Sequence, residues 1–281
     1  MGEQKMSIES SNDPEGFSGF EHSGWEEVSR GYEQHIARLT TQSVDAVLDA
    51  AAVGSGSRVL DVCCGPGVLS AAAGARGAQA TGIDFSAEAV DIARSNVPGA
   101  EFQEADALAL PFDSDSFDAV VCGFGIIHVP DPEAALAEMH RVLIPGGMVS
   151  MSVWEAPNPG NGFGLLYSSI TAHADMDVDL PHGPDFFQFS DEEILSEVLV
   201  NIGFCNPSAS TVDQTWEFSE PSGLVRSFIE GSVRARGILM AQTADVQDSI
   251  STTIATGMES FRSPDGVFRV PMPAIVGSAI K

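Results

Sequence analysis

The sequence predicts an α/β fold with a mostly parallel sheet and helices on both faces. Two observations carry this expectation. Residues 58–67, Arg58-Val59-Leu60-Asp61-Val62-Cys63-Cys64-Gly65-Pro66-Gly67, read as a buried strand that ends in an acid and turns at once through glycines into a helix. That arrangement builds a nucleotide pocket at the carboxyl end of a parallel strand. From there to residue 154, strand-like and helix-like segments alternate, and parallel strands joined by crossover helices are what such alternation builds.

The elements follow in order. Trp25, Val28, Tyr32, Ile36 and Leu39 recur at three- and four-residue spacing, and Val44, Val47, Leu48 and Ala51 continue a similar stripe. Residues 24–53 are therefore expected as one or two amphipathic helices, stopped at Gly54-Ser55-Gly56-Ser57. Val59–Val62 is the first strand, and Leu69–Arg76 a helix ending at Gly77. Ala78–Ile83 is the second strand, with Asp84 at its end. Ser86 caps a helix running to about Asn96, which Pro98-Gly99 breaks. Glu101–Glu104 is a short third strand, and Phe117–Phe124 a fourth, apolar enough to be buried on both faces. Asp131 caps a helix with Pro132 at its first position and with His140 and Arg141 in its last turn, where positive charge suits the dipole. Pro145-Gly146-Gly147 turns into a fifth strand, Met148–Val153.

Strict alternation then ends. Residues 155–189 read as a loop rich in Gly, Pro and aromatics. Ser190 with Glu193 forms a capping box for a helix ending near Gly203. Ser208–Trp216 alternates like a strand, and residues 221–260 look helical. Val267–Ile280 reads as an edge strand, because Pro271 and Pro273 lack ladder donors. The expected organisation is a mobile tail (1–20), N-terminal lid helices (21–56), a nucleotide-binding core (57–154) and a lid loop (155–189). Closing helix and strands (190–281) follow, with an inserted helical cap at about 221–262.

With 281 residues, 43% of them hydrophobic, the chain can bury a sizeable core as one domain with additions. Its net charge of -27, with only two lysines, Lys5 and Lys281, repels nucleic acid phosphates and anionic membranes. No nucleic acid or membrane partner is expected. No apolar run is long enough to span a bilayer, and Met1–Phe20 lacks the basic start and apolar middle of a signal peptide. A soluble, cytoplasmic protein is the resulting expectation. Cys63, Cys64, Cys122 and Cys205 form no C-x-x-C pair, so neither a metal site nor a disulfide framework is expected.

A dinucleotide fingerprint needs a third glycine where this chain has Ser70. The order of motifs instead resembles the class I S-adenosylmethionine (SAM)-dependent methyltransferases, in particular the small-molecule group that includes ubiquinone and menaquinone biosynthesis enzymes. The motifs are Val59-Leu60-Asp61 to Gly67, then Gly82-Ile83-Asp84-Phe85-Ser86. Ala105-Asp106-Ala107-Leu108 follows, running into Leu110-Pro111-Phe112 and Ser116-Phe117-Asp118. Arg141-Val142-Leu143-Ile144-Pro145-Gly146-Gly147 closes the set. The resemblance is strong over residues 25–155 and weaker over 190–281.

The resemblance implies a Rossmann-like, mostly parallel seven-stranded sheet with an antiparallel last strand and a helical lid. SAM is the implied cofactor. The implied reaction is in-line methyl transfer to an oxygen, nitrogen, carbon or sulfur nucleophile of a small molecule. Asp84 would accept from both ribose hydroxyls, with Phe85 on the adenine face, and Asp106 beside Ala107 would meet the adenine amino group. Asp61 would order the glycine loop and the cationic end of methionine. Gly65, Gly67 and Gly123 would permit close backbone approach, and Cys63 would offer a small side chain beside the ligand. Tyr32, seven residues after Trp25, would bond the methionine carboxylate.

His128, just past the fourth strand, is the best base candidate, but shaping and orienting the acceptor is its first expected role and the base its second. Trp25, His128, Trp154, Phe163, Tyr167 and Phe186 are expected on the acceptor side, joined by Phe187 and Phe189. His173 and His182 are weaker candidates, while His22, His35 and His140 read as surface or packing residues. Two alternatives stand beside methyl transfer. One is a SAM-binding protein of the same fold without it, a cyclase or accessory subunit. The other is a nicotinamide oxidoreductase, against which the broken glycine pattern speaks.

Overall fold

The computed structural model describes residues 13–174, 176 and 178–281. Helix α1 (Pro14–His35) starts the described chain, with the Asp13 carboxylate accepting from Gly16 N at 3.0 Å and proline in its first turn. Helices α2 (Ala37–Thr40) and α3 (Val44–Ala50) lead into β1 (Arg58–Val62). Then come α4 (Val68–Ala75), β2 (Gln79–Asp84), α5 (Ala87–Asn96), β3 (Glu101–Glu104), β4 (Phe117–Gly123), α6 (Pro132–Val142) and β5 (Leu143–Trp154). The second half holds α7 (Gly162–Thr171), α8 (Glu192–Ile202), β6 (Cys205–Val212), β7 (Thr215–Phe218), α9 (Gly223–Gly231), α10 (Val233–Met240), α11 (Ala244–Met258), β8 (Phe268–Pro271) and β9 (Ala274–Ile280).

Seven strands form one sheet in the order β3-β2-β1-β4-β5-β9-β6, and β7 pairs with β8 in a separate two-stranded sheet. The pairs from β3 to β5 are parallel, and β9 runs antiparallel to both of its neighbours. Alternate residues of the central strands feed opposite faces, as the strand period requires. Leu60, Val62 and Val120 join the larger core with Leu136 and Met139 of α6, while Val59 and Val121 pack with Val47 and Leu48 of α3 and Ala73 of α4. The predicted caps are present: Ser86 Oγ accepts from Ala89 N, and Asp131 Oδ1 from Ala134 N.

Several expectations are corrected. Residues 13–20 are not tail: α1 begins at Pro14, and Phe17 is 3% exposed. Residues 1–12 of the expected tail lie outside the described residues. The cap of α8 is Asp191 rather than Ser190, since its carboxylate takes the Glu193 and Ile194 N–H groups. The strand expected over 208–216 is two strands in different sheets, broken at Asp213-Gln214. The strand expected at 267–280 is likewise divided, and its second part, β9, is interior rather than edge. Pro271 and Pro273 both precede β9, whose own residues all keep their N–H groups, so it can pair on both sides. No helix among the described residues is long and apolar enough to cross a membrane.

Candidate active site

Strand β1 lies between β2 and β4, so the chain order reverses there, and a crevice opens beyond the carboxyl ends of the two strands. A cavity of about 590 Å³ occupies it, within the usual size range for small-molecule sites. Its floor is the β1–α4 turn, where Cys63, Gly65 and Gly67 take positive φ angles of 57°, 51° and 84°. The three positions differ in what they face. A Cβ on Gly65 would meet open space, and Gly65 and Cys63 line the cavity. A Cβ on Gly67 would lie 3.1 Å from Val97 Cγ2 and 3.2 Å from the Phe102 ring, behind the turn. Gly67, expected to give close approach to a ligand, is not part of the cavity lining; its left-handed backbone and the packing behind the turn require glycine there. Gly123 does line the cavity, where a Cβ would come within 2.9 Å of Leu69 Cδ1. Gly125, which sequence reasoning passed over, leaves room for the Cys63 side chain, with which any Cβ would collide.

Two buried acids hold this floor. Asp61 Oδ2 accepts from Ser70 N at 3.0 Å and from Ser70 Oγ at 2.7 Å. Ser70, the residue that breaks the dinucleotide pattern, is therefore the anchor of Asp61. Burial pushes the Asp61 carboxyl up to about 7, against the pull of those two bonds. Asp84 accepts from Gly65 N through Oδ2 at 2.9 Å and from Ser86 N through Oδ1 at 3.0 Å. Its burial also pushes it upward, opposed by the Ser86 and Gly65 amides and by nearby His128. Neither acid has an ion pair among the described residues.

Glu104, Ala105, Asp106 and Ala107 line the cavity beyond β3. Asp106 is exposed, and its Oδ1 accepts from Leu108 N at 2.9 Å, so it also caps its own turn. Phe85 is half-buried and meets His22 edge-on at 5.4 Å; His22 lines the cavity too. On α1, the Tyr32 hydroxyl lies 3.3 Å from Thr40 Oγ1, and burial pushes its phenol up to about 12.

His128 ends a short 3-10 turn, Ile126–His128, after β4. Its Nδ1 lies 2.9 Å from Oε2 of Glu21, a residue of α1 only 1% exposed. Trp25 Nε1 donates to the same oxygen at 3.1 Å, and the Trp25 ring meets the imidazole edge-on at 5.0 Å. A carboxylate only accepts, so Nδ1 is the donor, and in the neutral imidazole Nε2 then holds the lone pair. Trp154, Phe163, Tyr167 and Phe186 line the same cavity, as expected, along with Trp216, Phe228 and Met272. Phe187 packs behind Phe163 and Tyr167 rather than on the cavity, and Phe189 is a core residue. His173 bonds Thr253, and neither it nor His182 reaches the cavity. His35 pairs with Glu230 and His140 packs on Phe204.

Glu21 and Arg234 are the functional candidates that the sequence reading missed. Glu21 stands four residues before Trp25, on one helix face, but acids are so common on α1 that the spacing had no contrast.

Residues 60–151 match the model of a methyltransferase domain family. The demethylmenaquinone methyltransferase of Staphylococcus epidermidis is 40% identical over 139 residues, 46% of this chain and 57% of that protein. The chain thus spans little more than half the length of that relative. Among solved structures, phosphoethanolamine N-methyltransferase 2 of Haemonchus contortus in complex with SAM matches with a TM-score of 0.57 at 18% identity, covering 94% of this chain and 60% of that one. The [4+2]-cyclase SpnF matches with a TM-score of 0.50 at 20% identity, covering 85% and 80%. At such identities the structural likeness speaks for the fold alone.

Residues 60–151 carry a methyltransferase domain, on a Rossmann-like sheet shared with solved SAM-dependent methyltransferases. That part of the chain is similar to the small-molecule methyltransferases of quinone biosynthesis. The cofactor of the class is SAM, and this cavity fits it. Asp61 and Asp84 are buried acids without a cation, suited to a ligand that brings positive charge and hydroxyl donors, and Gly65 leaves space for it.

Proposed function

We propose that this chain transfers a methyl group from SAM to a small molecule held against the aromatic wall, with His128 as general base. The observation that carries the reading is the Glu21–His128 pair, in which a buried carboxylate meets Nδ1 of a cavity-wall histidine and leaves Nε2 of the neutral ring as the proton acceptor.

When bound, SAM supplies a methyl group already activated on a sulfonium. The chain's residues then have distinct tasks. Asp84 takes the ribose hydroxyls, Phe85 and the Asp106–Ala107 turn the adenine, and the Tyr32 hydroxyl the methionine carboxylate. Asp61 meets the cationic end, with Cys63, Gly65 and Gly123 giving close approach. Trp25, Trp154, Phe163, Tyr167 and Phe186 exclude water and align the acceptor for in-line displacement. His128 Nε2 removes the proton of the acceptor nucleophile, a task worth about two to four orders of magnitude in rate. Glu21 is a positioning residue that acts through His128.

A quinone-type acceptor is suggested by the name of the Staphylococcus epidermidis relative. The acceptor wall from Trp154 to Met272, however, lies outside residues 60–151 that match the domain family, so its shape belongs to this chain. A second reading, a SAM-binding protein without methyl transfer, is favoured by one observation: a [4+2]-cyclase has this fold. Incubation with methyl-labelled SAM and acceptor pools separates the two. Label in an acceptor with matching S-adenosylhomocysteine supports transfer. SAM binding without turnover on any pool would leave the second reading, and no SAM binding would overturn both.

A further inference from the structure

The chain has thirteen lysines and arginines against forty acids. Lys5 lies outside the described residues. Ten of the remaining twelve pair with a carboxylate: Arg30, Arg58, Arg76, Arg94, Arg141, Arg226, Arg236, Arg262, Arg269 and Lys281. Arg38 is exposed to water. Arg234 is left, half-buried on α10 and lining the cavity. Among the described residues its one hydrogen bond is a long one, Nη1 to Pro181 O at 3.4 Å. A guanidinium carries five donors in a planar fork, so most of this one is unoccupied. In so acidic a chain, a cation kept free of carboxylates at a cavity wall is unusual, and removing it from water costs free energy unless a ligand meets it.

The position of Arg234 says which ligand. The Tyr167 hydroxyl feels Arg234 and Asp185, whereas the Tyr32 hydroxyl, at the cofactor end, feels Asp84 and Asp61. Asp185 is exposed, caps Phe187 N at 2.9 Å and forms no ion pair with Arg234. A run of rings leads from His128 along the cavity: His128 to Phe186 at 5.6 Å, Phe186 to Phe163 at 6.1 Å and Phe163 to Tyr167 at 6.1 Å. One cavity lining thus holds His128, these apolar walls and a guanidinium with no carboxylate partner among the described residues.

We propose that Arg234 binds a carboxylate or phosphate of the methyl acceptor in the cavity that His128 also lines, so that the acceptor is an aromatic or apolar acid. This rests on the methyl-transfer reading above. A planar fork suits either oxyanion bidentately.

The test is calorimetry on the full chain saturated with S-adenosylhomocysteine, using benzoate, phenyl phosphate and the neutral isostere benzamide as probes. At least one anion should bind ten-fold or more tighter than benzamide, and which one does so distinguishes carboxylate from phosphate. Arg234→Gln should reduce that anion to the benzamide level with S-adenosylhomocysteine affinity kept, while Arg38→Gln should leave the preference intact. Benzamide binding as well as both anions, or an anion preference that survives Arg234→Gln, would overturn the proposal. If Arg234→Gln fails to fold, the comparison of anions with benzamide on the native chain still decides. Failure of S-adenosylhomocysteine to bind the native chain would instead strike the methyl-transfer reading, before any probe is added.

Discussion

Glu21 and His128 are 107 residues apart in the chain, and their side chains meet at 2.9 Å. Glu21 comes from α1 and His128 from the turn after β4, so α1 carries the carboxylate that meets the imidazole. Trp25 braces the same carboxylate from one turn further along α1. The packing of α1 on the cavity and the hydrogen bond to the histidine therefore go together.

His128→Ala is expected to lower saturated turnover by about two orders of magnitude or more, with SAM affinity held and the acid limb of the pH–rate profile lost. Glu21→Gln, which keeps size but not charge, should lower kcat by roughly ten-fold or more and move that limb. Steady-state kinetics over pH checks both. A loss confined to KM, with kcat and the limb intact, would mean that the pair only shapes the acceptor pocket.

Asp84→Ala removes the acceptor proposed for the ribose hydroxyls, worth about 2 to 4 kcal/mol of SAM binding. It also strips Gly65 N and Ser86 N of their partner, so thermal stability should fall as well. Calorimetry and melting curves on one variant read both effects, and unchanged SAM affinity would remove the ribose assignment.

The two glycines of the β1–α4 turn should separate. Gly67→Val combines a left-handed backbone, costing about 1 to 2 kcal/mol, with contacts on Val97 and Phe102, so melting temperature should drop sharply. Gly65→Ala carries the same left-handed backbone cost but meets open space, so its stability loss should be the smaller, with weaker SAM binding added. Equal stability losses in the two variants would contradict this division.

The Asp61 carboxyl has an ordinary value of 3.8 and is raised by burial to about 7. A raised folded-state value means that the protonated acid is favoured in the fold. Its contribution to stability is complete below the unfolded value and is lost as pH rises through about 7. Asp61→Asn cannot lose it. In the absence of cofactor, the stability of Asp61→Asn relative to the native chain should rise between pH 5 and 8, as read by denaturant titration. A pH-independent difference would show that Asp61 is ionised throughout.

Phe17→Ala should cost about 3 kcal/mol or more, the usual toll of emptying a buried phenylalanine site, because Phe17 packs at 3% exposure near Gly183. Denaturant unfolding checks this, and a change under about 0.5 kcal/mol, typical of surface substitutions, would return residues 13–20 to the character of a tail.

The sequence by itself determined the alternation of strands and helices from residue 58 to 154, the caps at Ser86 and Asp131, and the acids at the ends of β1 and β2. These rest on local periodicity, capping chemistry and turn residues, which act between neighbours in the chain. The aromatic wall was also readable, since residues rich in rings beside a predicted pocket have few other places to go. Tertiary structure alone decided the rest. Whether Gly67 faces ligand or core depends on Val97 and Phe102, some thirty residues away, and whether β9 is edge or interior depends on β6 pairing with it. The Glu21–His128 bond and the place of Arg234 in the cavity lining, without a carboxylate partner among the described residues, likewise exist only once α1 and α10 are packed over the sheet. No single-residue pattern marks them, because in a chain with forty acids only the packed fold determines which charges meet a partner and which are left for a ligand.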